Sequence, residues 1–276
     1  MNIALDFGVT NIKIGLVHNG TVISRTRIPA LSQGGLLGRL SGVIGSIYKL
    51  LSDNQFSLSE CMGIGIAMSG VVDAASRTKL SINDKYSDAV GFPIQEWFEG
   101  ALALPCILEN DARAALIVEA SFGVANGETD AVLMTFGTSI GTAAMMNGQI
   151  LRGRQLQTGI LGGYFGTDLE AVKKSDGAGI DTFKSLFPHW NTGIVNLIHA
   201  YEPEIVILSG EFMKSQADIV PLIQEQVLKC AWTPWGNVRF VVAEDPDTSV
   251  LLGVSKLLEM EQEKQAETVT QNKGIV

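Results

Sequence analysis

Short apolar runs and 3.6-residue apolar stripes take turns along this chain, and their order predicts strands feeding helices. Residues 3–7 form one apolar run and residues 13–17 a second. Asn19-Gly20, the strongest two-residue hairpin signal, then leads into a third strand over 21–28. Apolar residues recur at 36, 40, 43, 47 and 50, with a second stripe at 37, 44, 48 and 51. This spacing predicts a helix with a buried face. An apolar strand over 62–67 ends at Ser69-Gly70, a polar, turn-rich section spans 73–91, and Pro93 opens a helix carrying Trp97 and Phe98. A strand at 106–108 runs into Glu109-Asn110-Asp111, and 112–120 reads as helix.

A new cycle starts with a strand at 131–136. It continues through a Gly-rich turn, an apolar run to 146, a second Asn-Gly pair at 147–148 and a strand through 151. Helices follow at 193–200, 219–228 and 250–258, with strands at 205–208 and 238–243. From 263 to 276 the composition turns to Gln, Glu, Lys and Thr, which predicts a disordered tail. Strands alternating with helices give an α/β class. The two cycles echo each other: Phe7-Gly8 precedes Asn19-Gly20, and Phe136-Gly137 precedes Asn147-Gly148, with small or hydroxyl residues between. A strand, Gly-rich turn, strand unit in each half predicts two related domains.

Composition narrows the partners. At 276 residues and 46% hydrophobic, the chain can fill two cores. A net charge of -9 argues against a broad nucleic-acid surface, which needs clustered Lys and Arg. No run of eighteen apolar residues occurs, and the start Met1-Asn2-Ile3-Ala4-Leu5-Asp6 carries no basic stretch or cleavage site. A cytoplasmic protein with no membrane partner is therefore expected. Cys61, Cys106 and Cys230 are far apart in apolar surroundings, which reads as buried thiols rather than disulfides or a zinc site.

The chemistry collects at strand ends. Asp6-Phe7-Gly8-Val9-Thr10-Asn11 sets a carboxylate beside a tight turn, where Gly8 permits close backbone approach and turn amides can meet phosphate oxygens. A lone Asp suits a hydrated Mg²⁺, which keeps several waters. Gly137-Thr138-Ser139-Ile140-Gly141-Thr142 is a second such turn without the acid, offering amides and hydroxyls. No Gly-Lys-Ser/Thr follows a Gly-rich stretch, so neither is a Walker loop. Asn110-Asp111 reads in isolation as a helix N-cap; beside phosphate-binding loops the carboxylate can instead accept a hydroxyl proton.

These pieces, together with Gly63-Ile64-Gly65-Ile66-Ala67-Met68-Ser69-Gly70 and Pro203-Glu204-Ile205-Val206-Ile207-Leu208-Ser209-Gly210, stand in one order over roughly residues 1–258. In that order the sequence resembles the ROK family of sugar kinases and regulators, within the actin–hexokinase superfamily. The resemblance implies a two-domain actin-like (ribonuclease H-like) ATPase fold, each domain a mixed sheet flanked by helices. The expected domains are 1–110 plus 246–262, for phosphate and Mg²⁺, and 111–245, for the nucleotide. It implies that Asp6 holds Mg²⁺ through water, and that Gly8, Thr10, Asn11, Gly137, Thr138, Ser139 and Gly141 serve the ATP phosphates. Gly210 and Glu211 fall on the adenosine side. Ser69, Gly70, Asn110 and Glu170 fall on the acceptor side, with Asp111 as general base.

One segment departs from the family. Members typically carry Gly-Glu-x-Gly-His and then a cysteine-rich run that holds structural zinc. Here Ile160 stands in place of the sugar-binding Glu and Gly163 in place of the His, and the cysteines are missing. Zinc is not expected, and the family's sugar specificity does not carry over, because a site built to hydrogen-bond a hydroxyl discriminates strongly. The expected activity is transfer of the γ-phosphate of ATP to a hydroxyl of a sugar or sugar-like molecule. The alternative is a catalytically silent sensor that binds sugar or nucleotide. Family repressors carry an N-terminal helix-turn-helix, whereas this sequence opens on its first strand, so no nucleic-acid partner is expected. A homodimer is the default assembly.

Overall fold

In the computed structural model the described residues are 1–70, 72–73, 78–79, 86–136, 140–159, 187–210, 212–213, 217–234 and 236–273. They divide into two units, Met1–Ala114 with Val250–Val276, and Ala115–Ser249. The sequence boundaries expected for the two domains are 110/111 and 245/246.

The first unit is built on β1 (Asn2–Phe7), β2 (Asn11–His18), β3 (Thr21–Pro29), β4 (Gly63–Met68) and a further strand at Cys106–Asn110. A two-stranded ribbon, β5 (Val72–Asp73) and β6 (Thr78–Lys79), lies between the last two in sequence, so Cys106–Asn110 is β7. The sheet order is β3-β2-β1-β4-β7: antiparallel through β3, β2 and β1, then parallel through β4 and β7. Every residue of β1 and β4 is buried, as a strand covered on both faces requires. β3, at the edge, alternates exposed and half-buried positions.

The two faces are built differently. Ile3, Leu5 and Phe7 of β1 point with Ile64, Ile66 and Met68 into a core closed by α1 (Leu37–Asp53) and α2 (Ile94–Leu102). Helix α1 contributes Leu40, Val43, Ile47, Leu50 and Leu51, the periodic set of the sequence. Each such side chain stabilises by about 1.5–3 kcal/mol when fully buried. On the opposite face, β1, β2 and β4 show Ala4, Gly15, Gly65 and Ala67, and α3 (Asp111–Ser121) supplies Ala114. This small-residue strip lets the C-terminal helix press close. A Cβ on Gly65 would stand 2.7 Å from the Val254 carbonyl oxygen, and one on Gly15 would stand 3.0 Å from Leu251. The Asn2 amide donates to Ser255 Oγ at 3.0 Å and fixes the helix along β1.

The second unit repeats the plan with β8 (Ala131–Phe136), β9 (Ile140–Met146), β10 (Gln149–Ile150), β11 (Ile205–Ser209) and β12 (Arg239–Val242), in the order β10-β9-β8-β11-β12. Its core gathers around Trp190 of α4 (Phe187–Tyr201), whose ring meets Phe136 at 5.0 Å and Phe212 at 5.6 Å. Ile223 and Val227 of α5 (Val220–Cys230) pack into the same core. Both Asn-Gly pairs form the expected tight turns, with φ of 48° and 69° at 19–20 and 51° and 73° at 147–148.

Three expectations change. The described part of α4 already starts at Phe187, upstream of the expected 193, and includes Pro188. The C-terminal helix, α6, runs from Ser249 to Lys273, well into the stretch expected to be a disordered tail. Gln, Glu, Lys and Ala favour a solvated helix as readily as a disordered segment, and Lys264 pairs with Glu261 at 3.1 Å one turn away. Cys61 and Cys106 are buried, but Cys230, at the end of α5, is exposed.

Candidate active site

β1, β4 and β7 run parallel and in register, so their C-terminal ends come out along one edge of the first sheet. Asp6 pairs with Ala67, Ala67 with Glu109, and Met68 with Asn110. The edge therefore carries Asp6-Phe7-Gly8, Ser69-Gly70 and Asn110-Asp111 from three segments of sequence. In open parallel sheets this is the edge where ligands bind.

The β7–α3 junction is fully specified by hydrogen bonds. Asn110 Oδ1 accepts the Arg113 N–H at 3.1 Å, so Asn110 is the N-cap of α3. Its Nδ2 donates to the Gly70 carbonyl and to Asp111 Oδ1, each at 3.0 Å. Both amide hydrogens of Asn110 are thus used inside the protein, and the residue braces Asp111 and the β4 end rather than projecting from them. Asp111 Oδ1 also accepts the Ala112 N–H at 2.8 Å, which fixes its carboxylate at the positive end of the helix. The neighbouring Glu109 and Arg113, both buried, form an ion pair at 3.7 Å, and Glu109 Oε1 accepts the Asn110 N–H at 2.8 Å. Neither was singled out for a role from the sequence, although their spacing of four is an ion-pair signal.

The β1–β2 turn is tied down by its carbonyls. Tyr86 Oη donates to the Gly8 carbonyl at 3.0 Å, Ser32 Oγ to the Val9 carbonyl at 2.9 Å, and the Ala30 N–H to the Thr10 carbonyl at 2.9 Å. A Cβ on Gly8 would stand 2.8 Å from the Asn11 carbonyl oxygen, so a side chain is excluded there. Asp6 is buried at the end of β1, opposite Lys13 of β2. Among the described residues no group of three or more His, Cys, Asp or Glu gathers to hold a metal directly. A buried strand-end carboxylate such as Asp6 is a group that could hold Mg²⁺ through the ion's water shell.

In the second unit Gly141 lies in β9 opposite Thr135, and the Thr142 hydroxyl is buried and donates to the Gly159 carbonyl at 2.6 Å. That bond ties β9 to the loop at Gly159. Gly210 ends β11 at φ 100°, packed on the backbone of Phe136. Gly137, Thr138, Ser139, Ile160, Gly163, Glu170 and Glu211 lie outside the described residues. His199 accepts the Trp232 N–H at 2.9 Å, and no helix among the described residues is long and apolar enough to cross a membrane.

Two mixed sheets of one repeated topology, each flanked by helices, with charged and glycine-bearing strand ends, define the actin-like ATPase fold. The ROK family model matches residues 2–168, and the chain belongs to the ROK family. A glucokinase of Halalkalibacterium halodurans is 29% identical over 58% of this chain, a match spanning about half (48%) of that enzyme's length. Among solved structures, a ROK-family glucokinase from Streptomyces griseus, in complex with glucose and AMPPNP, superposes with a TM-score of 0.72 at 20% identity. That match covers 93% of this chain and 98% of that one. A ROK-family transcriptional regulator, a homologue of the E. coli MLC protein, superposes at 0.74 and 17% identity, covering 92% of this chain and 76% of that one. At these identities the structural likeness concerns the fold.

Proposed function

We propose that this protein is an ATP-dependent kinase that phosphorylates a hydroxyl of a sugar or sugar-like molecule. The reading rests on one observation above all: Asp111, fixed at the N-terminus of α3, stands on the same sheet edge as Asp6 and the tied β1–β2 turn. In this scheme the acceptor oxygen attacks the γ-phosphorus, the bond to the β-phosphate oxygen breaks, and ADP leaves. Asp111 takes the proton of the attacking hydroxyl. Asp6 would hold Mg²⁺ through water, and the ion would supply neutralisation of charge on the phosphate oxygens. Turn amides near Gly8, Thr10 and Asn11 hold phosphate oxygens, and Gly137, Thr138, Ser139 and Gly141 are assigned the same task. Gly210 and Glu211 are assigned to the nucleoside side, and Ser69, Gly70 and Glu170 to the acceptor. Asn110 orients Asp111 through its Nδ2.

The names of relatives support a sugar as acceptor class, and the relation to a glucokinase supports turnover. An ADP-release screen over hexoses, N-acetylhexosamines, polyols and anhydro-sugars tests this. At least one acceptor is expected to stimulate ADP release, and Asp111→Asn to slow it by about 100- to 10,000-fold. A silent screen, or a variant as fast as wild type, overturns the assignment. The sensor reading draws on Asn110, whose amide hydrogens are spent internally, and on Ile160 and Gly163 in the acceptor segment. Stabilisation by MgATP in a thermal-shift assay without turnover of any acceptor would favour it.

A further inference from the structure

We propose that Tyr86 and Ser32 are positioning residues of the β1–β2 turn, whose hydroxyls hold the Gly8 and Val9 carbonyls so that the Val9 and Thr10 amides are presented to the nucleotide polyphosphate. The inference rests on the phosphotransfer reading and deepens it. A trans peptide sets its C=O and N–H antiparallel, and no cis bond occurs among the described residues. With the Gly8 and Val9 carbonyls drawn to Tyr86 Oη and Ser32 Oγ, the N–H groups of Val9 and Thr10 turn away from that side. A β-turn chooses its own carbonyl directions weakly; two side-chain donors from distant sequence choose them here.

The donors are themselves built in. Tyr86 is 1% exposed, its ring packs edge-on against Phe7 at 6.2 Å, and its N–H donates to the Ser32 carbonyl at 2.8 Å, which joins the two donors. Tyr86 and Leu31 both occupy the left-handed region, at φ 54° and 47°. L-residues with side chains avoid that conformation, and it persists where the surroundings impose it, often at ligand clamps. The following turn, Ser87–Ala89, is anchored through Asp88, whose carboxylate accepts the Leu36 N–H at 2.5 Å and the Leu37 N–H at 3.0 Å at the start of α1. Gly35, at φ 88°, has no Cβ to obstruct that carboxylate, which stands 2.5 Å from where one would be. Burial and the nearby Asp6 carboxylate push the Tyr86 phenol above its ordinary range, which keeps it a proton donor.

The test uses the full chain with Tyr86→Phe, Ser32→Ala and Ser32→Thr, and reads the Kd for Mg²⁺–AMPPNP together with kcat and both KM values. Tyr86→Phe and Ser32→Ala are each expected to weaken analogue binding by about five- to tenfold, the loss of one hydrogen bond. KM for the acceptor should stay put, and Ser32→Thr should restore binding. Unchanged analogue affinity in both variants of a wild type that binds it overturns this inference alone. Equal losses for analogue and acceptor also overturn it, since they mark a merely structural role. A wild type that binds the analogue without turning over any acceptor removes the kinase reading while leaving the positioning test intact. Failure of the wild type to bind the analogue removes both. Should Tyr86→Phe not fold, the Ser32 pair decides.

Discussion

The two sheets share one strand order, and two differences lie at their strand ends. Phe7 pairs with Ile12, enclosing four residues (8–11), whereas Phe136 pairs with Ile140, enclosing three (137–139). From each isoleucine the Asn-Gly turn follows seven residues on (19 − 12 and 147 − 140). The whole one-residue difference between the halves therefore lies in the Gly-rich turn. The second difference is on the next strand. Gly70, at φ 94°, comes three residues beyond the partner of Asp6, whereas Gly210, at φ 100°, comes one residue beyond the partner of Thr135. Both of these differences fall at strand ends, where a ligand can be met. A β-ladder tolerates no slip without turning side chains to the wrong face, while a turn absorbs an extra residue cheaply.

Substituting the acid of the first turn with its counterpart in the second is the largest expected perturbation. Asp6→Thr makes the end of β1 read Thr-Phe-Gly, as β8 does at Thr135-Phe136-Gly137. If Asp6 serves Mg²⁺, acceptor-dependent ADP release should fall by about 1,000-fold, because a metal-bound phosphoryl group gains several kcal/mol of charge stabilisation. The Mg²⁺ concentration giving half-maximal rate should rise as well. A variant with wild-type rate and Mg²⁺ dependence would show that the acid marks no functional difference between the turns.

The shared plan was legible in sequence and the ties that hold the site were not. Asn19-Gly20 and Asn147-Gly148 announce themselves because a type I′ turn needs positive φ twice in succession. The strand ends were legible for a similar reason, since apolar runs stop where a small or charged residue begins. Tyr86, by contrast, meets Gly8 across 78 residues of sequence, and Ser32 meets Val9 across 23. No local propensity encodes such a bond; only the packing of α1 and the 86–89 turn against the sheet edge creates it. The far end of α6 was misread because solvated helix and disordered tail share a composition. Asn110, read as a helix cap and by the resemblance as an acceptor-side residue, makes the cap with its oxygen, while its nitrogen bonds Gly70 and Asp111.

The glycine offset can be probed through stability alone. Gly210 carries both a positive φ and a backbone neighbour, Phe136, lying where a Cβ would go. Gly210→Ala should therefore cost about 3 kcal/mol, combining left-handed strain with displacement of the end of β8. Denaturant unfolding measures that cost. A variant as stable as wild type would mean that the glycine after β11 has no close approach to enforce.

The smallest effect concerns acids that face no ligand edge. The first unit presents Asp6 and Asp111 at strand and helix ends, but Glu119 in the second is buried near the end of α3 and accepts the Val124 N–H at 3.1 Å. Burial pushes its carboxyl above the ordinary value of 4.5; the Val124 bond acts the other way, and the Glu244 charge adds to the rise. A carboxyl raised in the folded state binds its proton more tightly than in the unfolded chain. Its contribution is thus complete below pH 4.5 and is lost as pH climbs through the folded value. Glu119→Gln keeps an acceptor for Val124 and removes the titration. The difference in Tm between the variant and wild type should shift in favour of the variant as pH rises from 4 to 7. A difference independent of pH would mean that Glu119 ionises as freely as a surface acid.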